Sequence, residues 1–294
     1  MNSKKIAFFD SGVGGIPYLL MVAGRYPEGK YFYCADTKYF PYGQKPDERI
    51  REIVLEGVGR LIDSVEPDLV VVACNTASVV ALGALRDTFP LPFVGVVPAV
   101  KPAARISTVK RIGLLATSRT VAEAYTDNLI QSFASDCRVF RLASPELVTF
   151  VEHGYPSASA EEIEGALRDT VDWCVENRID TLILGCTHFI FLGDHLARLL
   201  GPGVAIVDSV EGVGNQALRV LGVAADTRKD LSLPQASFSA CPGGCGQAGS
   251  HAAAPAVNGF FYETGSLGET SAVRYFCALA GLEFRGTVRE KKTP

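Results

Sequence analysis

Long apolar runs are missing from this chain of 294 residues, and nothing in it approaches the roughly 20 residues of a membrane-spanning helix. Blocks of basic charge are missing too. The only basic cluster, Arg289, Lys291 and Lys292, falls at the far end, and the net charge is −4, which gives no electrostatic footprint for nucleic acid. A secretory core is also absent, because the apolar residues after Lys4 and Lys5 stop at Asp10. The expectation is a soluble, cytoplasmic protein with neither nucleic acid nor membrane as a partner.

Cofactor and metal signatures are incomplete. The turn Asp10-Ser11-Gly12-Val13-Gly14-Gly15 begins like a dinucleotide motif, but its last glycine would fall at Pro17, and no phosphate-loop Gly-Lys-Ser/Thr follows. Cys241, Cys245 and His251 fall one ligand short of the tetrahedral set of a structural zinc, so the segment 239–256 reads as a loop. The 8 cysteines, with no secretory signal, read as reduced thiols rather than a disulfide framework. Neither a cofactor nor a metal is expected.

What is present is a globular composition, 48% hydrophobic and 20% charged, of the kind that covers both faces of parallel sheets. Two stretches organise it, LVVVACNTAS at 69–78 and TLILGCTH at 181–188. Each is a short apolar strand, then one cysteine, then small hydroxyl or amide residues. Ligands of open parallel sheets sit beyond the carboxyl ends of strands, where Cys74 and Cys186 both fall.

The rest of the chain alternates in the same manner. Strands are predicted at 5–9, 30–34, 69–73, 93–96, 111–116, 181–185, 204–207 and 260–263, with helices near 50–65, 77–87 and 268–280. Ser159 with Glu162 predicts a capping box. It opens a helix whose apolar side runs through Ile163, Leu167 and Cys174. Ile6 and Ile112 are 106 residues apart and Cys74 and Cys186 are 112 apart, a rhythm that permits a duplication with a short insertion. The chain reads as a first domain from 1–97 and 210–294 and a second from 98–209.

Two readings of the first turn stay open: Asp10 or Ser11 caps the helix that follows, or both face a ligand. Cys34, Cys137, Cys174 and Cys277 read as small core hydrophobes, and His153 and His195 as surface or capping residues.

DSGVGG at 10–15, PYG at 41–43, ACNTAS at 73–78, VVPAVKPA at 96–103 and GCTH at 185–188 together resemble glutamate racemase, the cofactor-independent family of the aspartate/glutamate racemase superfamily. The resemblance implies an α/β fold: two pseudo-symmetric parallel-sheet domains with the active site in the interdomain cleft. It implies a homodimer that interconverts L- and D-glutamate, supplying D-glutamate for peptidoglycan. Cys74 and Cys186 are implied as the paired bases, with Asp10, His188 and Glu152 tuning or relaying their protons. Asp10, Ser11, Tyr42, Gly43, Asn75, Thr76, Thr187 and His188 are the implied substrate contacts.

The chemistry suits these residue types. Racemisation removes a Cα proton on one face and delivers one to the other, which two opposed bases do without moving. A thiol lies near enough to neutrality to serve as base on one side and acid on the other. No arginine lies in these motifs, so backbone N–H groups at helix starts, with Ser11, Asn75, Thr76 and Thr187, are left to hold the carboxylates. Departures from the family pattern are Pro46, Arg119, the segment 239–256 and Gly265-Ser266. The alternative readings are a superfamily racemase acting on aspartate or another small acid, and a binding protein without turnover.

Overall fold

A computed structural model of the protein describes residues 3–223, 257–265 and 271–288. Its strands in chain order are β1 (Lys5–Asp10), β2 (Lys30–Ala35), β3 (Leu69–Val72), β4 (Phe93–Gly95), β5 (Arg111–Ala116), β6 (Arg138–Ala143), β7 (Thr181–Leu184), β8 (Ala205–Val207), β9 (Gly259–Glu263) and β10 (Glu283–Thr287). They form two sheets, ordered β10-β9-β2-β1-β3-β4 and β6-β5-β7-β8, and every pairing is parallel. The chain is therefore α/β, with two parallel sheets.

Contacts divide the described residues into two units. Residues 3–96, 210–223, 257–265 and 271–288 make one, and residues 97–209 the other.

In the first unit the helices are α1 (Ile16–Arg25), α2 (Asp47–Val65) and α3 (Asn75–Thr88). The second adds α4 (Val100–Ile106), α5 (Ser118–Ala122), α6 (Ala124–Phe133), α7 (Pro145–Thr149), α8 (Ala160–Glu176) and α9 (Gly193–Leu200). The chain then enters α10 (Val210–Leu221), which packs on α1 with Arg25 bonded to Glu211 and Asn215, and α11 (Ser271–Ala280) follows.

Burial explains why these segments take these forms. The central strands β3 and β7 are buried at every position, as strands covered on both faces must be, whereas the edge strands β6 and β10 are not. Along α2, Ile50, Ile53, Val54, Gly57, Val58, Leu61 and Val65 all face inward at helical spacing. The predicted capping box is present: Ser159 Oγ accepts from Glu162 N–H, and Glu162 Oε2 accepts from Ser159 N–H at 2.7 Å.

The two sheets share one plan. Strand order β2-β1-β3-β4 repeats as β6-β5-β7-β8. Register repeats as well, Phe9 standing opposite Val72 and Leu115 opposite Leu184. The same bond closes each pair, Ala73 N–H to the Phe9 carbonyl and Gly185 N–H to the Leu115 carbonyl, both at 2.7 Å.

Three expectations need correction. α1 has Gly15 at its N-cap and no side-chain cap, so neither Asp10 nor Ser11 caps it; the turn is too long for either to reach. α3 begins at Asn75 rather than near Ala77, because Cys74 is extended and the chain coils directly after it. His195 is buried, 8% exposed, with its ring edge-on to Tyr155 at 6.2 Å. It turns inward beside Leu196 on the buried side of α9. Cys241, Cys245 and His251 lie outside the described residues.

Candidate active site

In the first unit the site residues collect at the carboxyl ends of β1, β2 and β3. Asp10 ends β1 with no exposed surface. Its Oδ1 accepts from Ser11 N–H at 2.5 Å and from Ser11 Oγ at 3.2 Å, which turns the hydroxyl towards Cys74 Sγ, 3.8 Å away. The glycine turn that follows is pinned by Tyr33, whose hydroxyl donates to the Gly12 carbonyl at 2.8 Å and accepts from Gly15 N–H at 3.0 Å.

Cys74 occupies the N-cap of α3 with extended backbone (φ −135°, ψ 125°) and makes no side-chain cap bond. Asn75 and Thr76 follow in the first turn, both buried. Neither the oxygen nor the nitrogen of the Asn75 side chain has a hydrogen-bond partner among the described residues. A buried amide left so is costly unless a ligand completes it.

Tyr42 reaches the same strand ends through a residue that the sequence reading missed. Its hydroxyl donates to Asp36 Oδ2, and Thr264 Oγ1, just past β9, donates to Asp36 Oδ1. Asp36 N–H donates in turn to the Asp10 carbonyl at 2.7 Å. Burial pushes the Asp36 carboxyl up, against the pull of these two hydroxyls. Burial also drives the Tyr42 phenol well above its ordinary value, the Asp36 charge adding to it and Cys74 contributing further. Tyr42 therefore stays neutral. Gly43 lies beside it in the short turn Tyr42–Gln44, half-buried.

An acidic residue directly after a strand, as at Asp10, was the available signal for Asp36. Thr264 carried none, because only the β2–β9 pairing brings it there.

The second unit repeats the scheme at β7. Cys186 is extended (φ −136°, ψ 138°), uncapped by its side chain, and leads into the tight helical turn Thr187–Leu192. Thr187 and His188 are both buried. His188 Nδ1 lies 3.9 Å from Cys186 Sγ, and His188 Nε2 lies 2.8 Å from Glu152 Oε2. Glu152 sits on the wide π-type turn Phe150–Gly154, a form often found at functional sites. Burial opposes charge on His188, but Cys186 and Glu152 outweigh it and raise the imidazole well above its ordinary value. His188 thus sits between Glu152 and Cys186, both of which favour its protonated form.

The other thiols among the described residues fit packing roles. Burial pushes Cys34 upward and raises Cys174 and Cys277 to about 12. Cys137 is half-buried against the core of the second unit. His153 is exposed, as expected of a surface residue. No group of three metal-ligating side chains occurs among the described residues, and no helix among them is long and apolar enough to cross a membrane.

Comparison with known proteins agrees with this picture. A model of the Asp/Glu/Hydantoin racemase family matches residues 21–216. A glutamate racemase of Glaesserella parasuis is 40% identical over 77% of this chain and 84% of its own length. One of Shewanella sp. is 41% identical over 79% of this chain and 84% of its own. Among solved structures, Escherichia coli glutamate racemase in complex with L-glutamate and the activator UDP-MurNAc-Ala is similar at a TM-score of 0.76 and 31% identity, covering 97% of this chain and 98% of that one. With both strand-end cysteines in place and similarity over most of its length, this chain belongs to the Asp/Glu/hydantoin racemase family, in its glutamate racemase branch.

Proposed function

We propose that the protein interconverts L- and D-glutamate without a cofactor, using Cys74 and Cys186 as two opposed bases, and so supplies D-glutamate for peptidoglycan. The observation that carries the proposal is the matched setting of the two thiols. Each is a nearly buried cysteine at a strand end, in the same extended conformation, one residue before a helical turn.

In this mechanism one thiolate removes the Cα proton and the opposite thiol delivers its own to the other face, so the two exchange roles in each turnover. The intermediate carbanion needs fixed donors in a dry setting. Asn75, Thr76, Thr187 and the N–H groups of the first turn of α3 are suited to the substrate carboxylates. Asp10, which orients Ser11 beside Cys74, is suited to the substrate ammonium. On the other side His188, backed by Glu152, stabilises the Cys186 thiolate and can pass it a proton. The domains are proposed to run 1–97 with 210–294 and 98–209, with one of the two thiols in each.

The test is the pair Cys74→Ala and Cys186→Ala. Each should lose racemisation by at least about a hundred- to ten-thousand-fold, the range of a positioned general base. Wash-out of Cα tritium should persist for opposite enantiomers in the two variants, D-glutamate requiring Cys74 and L-glutamate Cys186. If both favour the same enantiomer, or either racemises at the wild-type rate, the two-thiol mechanism fails. A chiral assay that also includes L- and D-aspartate decides against the aspartate alternative.

A further inference from the structure

Cys74 stands where a helix ordinarily wants Ser, Thr, Asp or Asn, whose side-chain oxygen closes the first turn. Its thiol does not serve as a cap, so something else must fix the backbone that carries it. Ser78, one turn into α3 and 4% exposed, makes three bonds there. Its N–H donates to the Cys74 carbonyl at 2.9 Å. Its Oγ donates to the Val72 carbonyl at 2.9 Å and accepts from Val96 N–H at 2.9 Å.

Ser78 therefore grips the carbonyls on both sides of Ala73, while Ala73 itself is tied to Phe9 on β1. The third bond reaches the residue after β4. That approach is close: a side chain at Gly95 would meet Leu82 at 2.6 Å and Ser78 Oγ at 3.2 Å. The residue 112 positions on from Ser78 is Ile190, without a hydroxyl, and Cys186 has the His188–Glu152 pair beside it instead.

We infer that Ser78 is the positioning residue for Cys74, its buried hydroxyl fixing the strand-to-helix turn that aims the thiol, where the equivalent position near Cys186 is an isoleucine. The inference rests on Cys74 acting as a base in the proposed reaction. It predicts an effect confined to one thiol.

In Ser78→Ala, kcat for either glutamate enantiomer should fall by about a hundredfold, the cost of displacing a reacting group by roughly 1 Å, with KM little changed. Alkylation by iodoacetamide, mapped to each cysteine by mass spectrometry across pH, should show a shifted profile for Cys74 and an unaltered one for Cys186. Ser78→Thr, which keeps the hydroxyl, should restore both readouts, and Ser78→Val, of nearly the same shape, should not.

Wild-type kcat in Ser78→Ala, equal shifts at both thiols, or equal losses in the Thr and Val variants would each overturn the inference. So would a hydroxyl needed only for folding, seen as folded Ser78→Thr beside unfolded Ser78→Ala and Ser78→Val. A wild-type protein that fails to racemise glutamate would instead refute the proposed function, and the alkylation comparison would still report on Ser78.

Discussion

Asn75 is a buried amide that nothing among the described residues satisfies. A side chain of this kind costs the free protein stability and returns it only when a ligand arrives. Asn75→Ala should therefore leave the thermal midpoint equal to wild type or higher, alanine also being the better helix former at the start of α3. Its kcat/KM for glutamate should fall roughly ten- to a hundredfold, since a hydrogen bond to a charged group is worth about 1.5–3 kcal/mol. A melting curve and a chiral assay check both halves. A variant that loses stability and keeps its turnover would show that the amide serves the fold.

At the scale of elements, two short turns decide where the thiols and their partners point. Gly15 is required by proximity, because its φ of −80° suits any residue. A side chain there would meet Ala73 Cβ at 2.5 Å and the Ala73 carbonyl oxygen at 3.0 Å, directly before Cys74. Gly15→Ala should cost about 1–3 kcal/mol in urea unfolding, as overpacking does, and should reduce kcat by moving the Cys74 turn.

In the second unit the π-type turn at Phe150–Gly154 brings Glu152 to His188. The folded-state value of His188 lies above its unfolded value of 6.5. The stability it contributes is therefore complete below pH 6.5 and is lost as pH rises from there through the folded value. Glu152→Gln should lower the His188 titration, read by NMR. It should destabilise the protein by about 3–5 kcal/mol, the cost of breaking a buried pair, most at low pH and progressively less as pH rises. An unchanged His188 titration would remove Glu152 from the relay.

At the scale of the whole molecule the protein is one βα plan used twice, with the second sheet copying strand order and register around a second cysteine. The proposed two-base reaction needs one strand-end thiol from each copy. The two copies differ in their support: the Ser78 and Asp10 hydrogen bonds in the first, the His188–Glu152 pair in the second. Everything the proposed reaction uses is a side chain or a backbone amide. Racemisation should accordingly persist without loss after exhaustive dialysis against a chelator and after treatment with a carbonyl reagent. Activity lost to the chelator and regained with zinc would make ligands of Cys241, Cys245 and His251.

Much of this was legible in the residues. Continuous apolar runs identified β1, β3, β5 and β7, because a strand buried on both faces has no choice of pattern. Helical spacing identified α2, and Ser159 with Glu162 announced the start of α8. The edge strands β6 and β10 gave no such signal, and neither has a fully buried position, because a strand at the sheet margin is less covered than a central one.

The sequence by itself determined the repeated strand-cysteine-hydroxyl pattern, and with it which two thiols stand at strand ends, because local hydrophobic runs and their breaks are properties of the chain. Only the tertiary structure decided who supports them. Asp36 meets Thr264 across 228 residues of chain, Glu152 meets His188 across 36, and Ser78 joins Val72 to Val96. Such partnerships arise where strands pair and turns are buried, and a buried polar atom takes whichever partner packing brings within reach.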